Sequence, residues 1–238
     1  MLKKATAIFM LIAVIFCLTG CMNIVCHITL NNNSSADIEY DISMYKSTIP
    51  AIMGIEEESF NPFEEAITKA GAEGYTVTPY ETEEQIGFRA VSKNVEFNIQ
   101  EIVQNIGLGA IGNGGITVKK GLFTNTYTVN ANIDTTSLLG NHENAQQMYP
   151  LIDNSISAKL IFTAPSEIIS DTGTASDDGK TYEYRIEIGK NNNIKLSYTA
   201  INIPGICLSV LLITAVATVL FIRFRKKKAY ANEKSNRL

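Results

Sequence analysis

The sequence predicts an α+β fold: a mainly antiparallel sheet with one or two helices packed on it, plus one C-terminal transmembrane helix. Three observations carry that expectation. Apolar and polar residues alternate with period two over residues 22–45 and again after residue 116, the signature of half-buried strands. Residues 61–74 hold one helical stretch with start and stop signals. Pro204 to Ile222 is nineteen residues without a charge, about 28 Å as a helix and close to the thickness of a bilayer core.

In chain order, the start Met1-Leu2-Lys3-Lys4 is followed by an apolar run from Ala5 to Leu18 and then Gly20-Cys21. A basic start, a short apolar core and a small-residue cleavage site read as a secretory signal. Leu18-Thr19-Gly20-Cys21 resembles a bacterial lipobox, which implies cleavage after Gly20 and a diacylglycerol on the Cys21 thiol. In the first strand Ile24, Cys26, Ile28 and Leu30 share one face. After the turn Asn31-Asn32-Asn33-Ser34-Ser35, Ile38, Tyr40, Ile42 and Met44 share one face of the second. The two form an antiparallel hairpin with one wet side. Cys26 is expected to face the core, and His27 the opposite side.

Asn61 caps the helix that follows, Pro62 suits its first position, Glu64 completes a capping box, and Gly71 or Gly74 ends it. Residues 75–78 and 86–90 read as a second strand pair. Phe97–Ile106 fits strand or helix and is taken as a short helix. The stretch from Gly107 to Gly115 is read as a mobile loop, with Leu108 and Ile111 as membrane-contact candidates. Strands resume over 116–120 and 123–133, then around Ile156–Phe162, closed by Pro165. The last two are centred on Tyr184 and Leu196, with turns at Asp177-Asp178-Gly179 and Asn191-Asn192-Asn193.

The net charge of −4 divides into +2 for residues 1–21, −12 for 22–203 and +6 for 204–238. An acidic body offers no footprint for phosphate backbones, so nucleic acid is not an expected partner. The basic cluster Arg223, Arg225, Lys226, Lys227 and Lys228 behind the apolar run keeps that end in the cytoplasm under the positive-inside bias. It also attracts anionic headgroups. The expected organisation is therefore a lipoprotein-type signal peptide (1–20), an extracytoplasmic body (21–203), a transmembrane helix (204–222) and a basic cytoplasmic tail (223–238), at the plasma membrane. Anchoring at both ends predicts that Met22 and Ile201 share one pole, with the first and last strands as antiparallel neighbours.

No motif singles out catalysis. Gly107-Leu108-Gly109-Ala110-Ile111-Gly112 matches a dinucleotide glycine pattern, but a helix precedes it and a strand follows, the reverse of what that chemistry needs. His27 and His142 are the only histidines, and neither has metal-ligand spacing with a cysteine. No enzyme, cofactor or metal is expected. The expected partners are membrane lipids, with envelope proteins or glycolipids as further candidates; an interaction module of an envelope complex and an extracellular hydrolase are the alternatives.

This plan is similar to that of the LppM-like bacterial lipoproteins, a domain family of unknown function. The resemblance rests on Cys21, the hairpin Asn23–Tyr45, the helix and strand of Glu64–Tyr80, the strand Phe123–Ile133, the Leu-x-Phe-x-x-Pro strand end of Leu160–Pro165, and Pro204–Ile222. It implies an α+β fold and binding of a lipid or envelope component, and brings no catalytic residue.

Overall fold

In the computed structural model the described residues are 22–50, 61–105, 111–136, 153, 155–170 and 172–235. Eleven strands and three helices follow in order: β1 (Met22–Leu30), β2 (Ser35–Tyr45), α1 (Glu64–Ala72), β3 (Thr76–Glu81), β4 (Gln85–Glu96), α2 (Ile99–Asn105), β5 (Ile111–Lys119), β6 (Thr124–Asp134), β7 (Ile156–Thr163), β8 (Ile168–Ser170), β9 (Thr174–Ala175), β10 (Thr181–Ile186), β11 (Asn191–Ile201) and α3 (Ile203–Ser235). The strands form two sheets, a seven-stranded one ordered β3-β4-β2-β1-β7-β10-β9 and a four-stranded one ordered β5-β6-β11-β8. The α+β expectation holds, with sheet as the larger part.

The alternation in β1 and β2 pairs as the sequence predicts, with Ile24 opposite Ile42 and Cys26 opposite Tyr40. Cross-strand neighbours on the same side continue the stripe: Phe88 and Ala90 on β4, then Ala158, Leu160 and Phe162 on β7. All are buried. The opposite side is wet. Arg89 meets Glu39 at 2.9 Å and Asp41 at 3.2 Å, and Lys159 meets Glu183 at 2.8 Å, pairs worth about 0–1 kcal/mol each in solvent. His27 is exposed there, away from buried Cys26.

The smaller sheet turns Tyr127, Val129, Ala131 and Ile133 of β6 and Ile194, Leu196, Tyr198 and Ala200 of β11 into the shared core. Its other side is a ladder of Thr, Asn and Ser, including Thr128 against Ser197 at 3.1 Å. Tyr127 and Tyr198 stack with ring centroids 5.0 Å apart. Their hydroxyls donate to the carbonyls of Asn32 and Asn31 in the β1–β2 turn, fastening one sheet to the other.

Three expectations are corrected. The first and last strands do not pair: β1 lies between β2 and a parallel partner, β7, while β11 lies between β6 and β8. Met22 and Ile201 do not share a pole. Ile24, Ala158 and Ile186 stand level across the large sheet, at the end where β10 leaves to turn into Asn191. The other end of β1 meets Tyr198, three residues before Ile201. β1 and β11 therefore run the same way, and about 27 Å of strand separates Met22 from the pole of Ile201. Alternation specifies a buried face but not which strands share it.

The glycine-rich stretch is likewise not a loop where it is described: residues 111–115 begin β5 and pair with β6. A side chain at Gly112 would meet the Ile99 carbonyl of α2 at 3.0 Å, and one at Gly114 (φ +132°) would meet the Asn130 carbonyl at 2.0 Å. Backbone approach, not mobility, requires these glycines.

Smaller differences concern ends. α1 begins at Glu64 rather than at Pro62, with the Asn61 side chain accepting the Phe63 N–H at 2.9 Å. Gly74, at φ +91°, reverses the chain after it. β8 and β9 are too short to carry a periodic signal.

Candidate functional site

Between α1 and the large sheet lies a cavity of about 280 Å³. Its floor is the apolar stripe of the sheet, Tyr40 and Ile42 of β2 and Phe88 and Ala90 of β4. Its roof is Phe63, Ala66 and Ala70 on and just before α1, and Met22 closes one side. The 3.6-residue period of α1 sets half-buried Ala70 one turn after exposed Ala66 at the cavity's edge, and their small side chains leave the space open. Phe63 and Phe88 hold the near end, ring centroids 5.6 Å apart. Lys69, Glu73 and Gln104 make a polar rim, with Lys69 and Glu73 3.9 Å apart and largely exposed.

The polar atoms within are few. Asn105, at the end of α2, donates to the Tyr75 hydroxyl at 3.1 Å. The Tyr40 ring lies 5.7 Å from that of Tyr75, and the Tyr40 hydroxyl is buried beside the polar ends of Tyr75 and Asn105 without a well-formed hydrogen bond. Burial, then the neighbouring Cys26 and Tyr75, push the Tyr40 hydroxyl far above its ordinary range, so it is a neutral donor at any physiological pH. Burial raises Tyr75 too. Burial alone pushes the Cys26 thiol up, which keeps it protonated and a packing residue rather than a nucleophile. The arrangement is a slot with an apolar floor and roof and a polar rim, suited to holding an apolar group.

Of the residues singled out from sequence, Cys21 and Leu108 lie outside the described residues. Ile111 opens β5 opposite Asp134, at the end of the small sheet away from the start of α3. Arg223 is exposed on α3; Arg225, Lys226, Lys227 and Lys228 continue that helix. Ile203–Arg223 is long and apolar enough to cross a membrane. The cavity itself was missed. Periodicity puts Phe63, Ile67 and Ala70 on one side of the helix and gives no sign of a space beneath them.

An α+β body with an apolar slot runs through β11 into a helix long and apolar enough to cross a membrane. The chain belongs to the LppM domain family, whose model matches residues 26–200. Among solved structures it is similar to the folded domain of LppM from Mycobacterium tuberculosis, determined by NMR, at 12% identity over 79% of this chain and 94% of that one, with a TM-score of 0.46. The comparison with curated proteins finds no match.

Proposed function

We propose that the protein is a surface lipoprotein that binds the apolar part of a lipid or another envelope component at the outer face of the cytoplasmic membrane. Cys21 carries the acyl anchor, α3 spans the bilayer, and the basic residues from Arg223 onward stay in the cytoplasm. The body performs no catalysis in this reading. The observation that supports ligand binding is the cavity under α1, with an apolar floor and roof and a polar rim. Its volume is almost twice the about 150 Å³ that admits a benzene ring in an engineered cavity. That suits one acyl segment or ring rather than a whole lipid.

Two anchors at opposite poles constrain how the body rests. With Cys21 and α3 in one membrane, the strands lie along the leaflet rather than standing on it, since about 27 Å separates the poles. Met22, the residue after the lipidated cysteine, lines the cavity, so the anchor's own acyl chain is the nearest candidate occupant and a free lipid the other.

Native mass spectrometry of the full chain released from nanodiscs tests this. Lipid held non-covalently on the wild type or on Cys21→Ser, and lost when Ala70→Phe is added with an unchanged circular dichroism spectrum, supports the reading. No non-covalent lipid on either protein, or equal retention after Ala70→Phe, overturns it. Non-covalent lipid on the wild type identifies a free lipid as the occupant, and lipid on Cys21→Ser alone identifies a cavity that the protein's own anchor otherwise fills.

A further inference from the structure

The β5–β6 hairpin ends in Lys119-Lys120-Gly121-Leu122-Phe123 at the pole where α3 begins. One residue, Asn202, joins β11 to α3 and ties the three segments together. Its N–H donates to the Phe123 carbonyl at 2.8 Å, its side-chain amide donates to the Gly121 carbonyl at 2.6 Å, and its side-chain oxygen accepts the Gly205 N–H at 3.2 Å. The fit is close enough that a side chain at Gly205 would stand 2.0 Å from the Leu122 carbonyl. The hairpin tip is thus held against the first turn of the helix.

What the tip exposes is unusual for a soluble surface. Leu122 and Phe123 are each 57% exposed, and Ile201 and Ile203 are 63% and 66% exposed. These four gather where the apolar helix starts, and the adjoining Lys119 and Lys120 are exposed with no carboxylate pairing among the described residues. An apolar tip flanked by lysines is the chemistry of an anionic lipid surface.

We propose that residues 119–123 form a membrane-docking wedge. Leu122 and Phe123 enter the boundary between headgroups and acyl chains beside α3, and Lys119 and Lys120 lie on anionic headgroups. The proposal rests on α3 spanning the bilayer, because the hydrogen bonds of Asn202 place the tip at the depth of the helix's first turn.

The chain has no tryptophan, so a single introduced one reports its own surroundings. Three full-length variants go into nanodiscs containing phosphatidylglycerol: Phe123→Trp at the tip, Asn113→Trp at the far end of β5, and Val210→Trp within α3. Phe123→Trp is expected to lose about half of its emission to lipids brominated near the headgroup end of the chains, at the depth of about 5–10 Å typical of interfacial side chains. Asn113→Trp, at the pole that rests on the leaflet without entering it, is expected to lose less. Quenching of Val210→Trp with Phe123→Trp no more quenched than Asn113→Trp overturns the wedge while the spanning helix stands. An unquenched Val210→Trp removes the spanning helix and the wedge together. Adding Lys119→Glu and Lys120→Glu is expected to reduce tip quenching in anionic discs but not in phosphatidylcholine discs; equal quenching in both removes the headgroup contact.

Discussion

Tyr40→Phe removes one oxygen from a place where folding leaves it unsatisfied. In the unfolded chain water bonds that hydroxyl; in the folded body it is buried among Cys26, Tyr75 and Asn105 without a well-formed hydrogen bond. Stranding such a group costs about 1–3 kcal/mol. Phenylalanine keeps the ring contact with Tyr75 at 5.7 Å and the packing against the sheet, so the variant is expected to be more stable than wild type by about 1 kcal/mol or more. For a body of this size that raises the melting midpoint by about 2–4 °C per kcal/mol. The control is the same chemical change at Tyr198, whose hydroxyl donates to the Asn31 carbonyl at 3.1 Å. There the loss of the bond costs about 0.5–1.5 kcal/mol. Thermal and urea melts of the full chain in one detergent, followed by circular dichroism, compare the three proteins with α3 common to all. A Tyr40→Phe midpoint at or below that of wild type refutes the reasoning, since the hydroxyl would then have a partner.

Cys26 is expected to resist alkylation by iodoacetamide at about pH 8 while the body is folded and to react at once in denaturant, because burial holds the thiol protonated; mass mapping of Cys26 peptides before and after unfolding checks this. Gly114→Ala forces a side chain against the Asn130 carbonyl at a φ of +132° and is expected to cost about 2 kcal/mol or more, seen as a lower urea midpoint. The Ser176 hydroxyl, then the Lys180 N–H, hold the Asp178 carboxyl below its ordinary range. A lowered folded value stabilises above about pH 4, where the unfolded carboxyl is ionised, and that contribution fades as pH falls through the folded value. Asp178→Asn is therefore expected to lower the urea midpoint at neutral pH and to converge with wild type in acid; a gap that is constant across pH refutes the linkage.

How far the sequence could be read follows from which signals are local. The β1–β2 hairpin was legible because alternation on both sides of Asn31–Ser35 fixes both strands and their register. The end of α1 was legible because Gly74 supplies the positive φ that ends a helix. Long-range pairing was not. That β1 takes β7 as its second neighbour depends on Ala158, Leu160 and Phe162 matching Ile24, Cys26 and Ile28 across an intervening chain, and many apolar strands offer the same match. Gly112 and Gly114 misled because glycine marks both loose loops and tight backbone contacts, and only α2 and β6 lying against them decide between the two. The cavity was invisible because Ala66 and Ala70 read as ordinary helix-face residues until the strands beneath them were known.

The parallel ladder of β1 with β7 sets when the molecule can assemble. Met22 waits for Ile156, and at about 5–20 residues per second a ribosome takes about 7–27 s to make the chain between them. Until then the hairpin offers an open strand edge, so a newly made chain needs either a companion to mask that edge or enough dilution to avoid joining its neighbours.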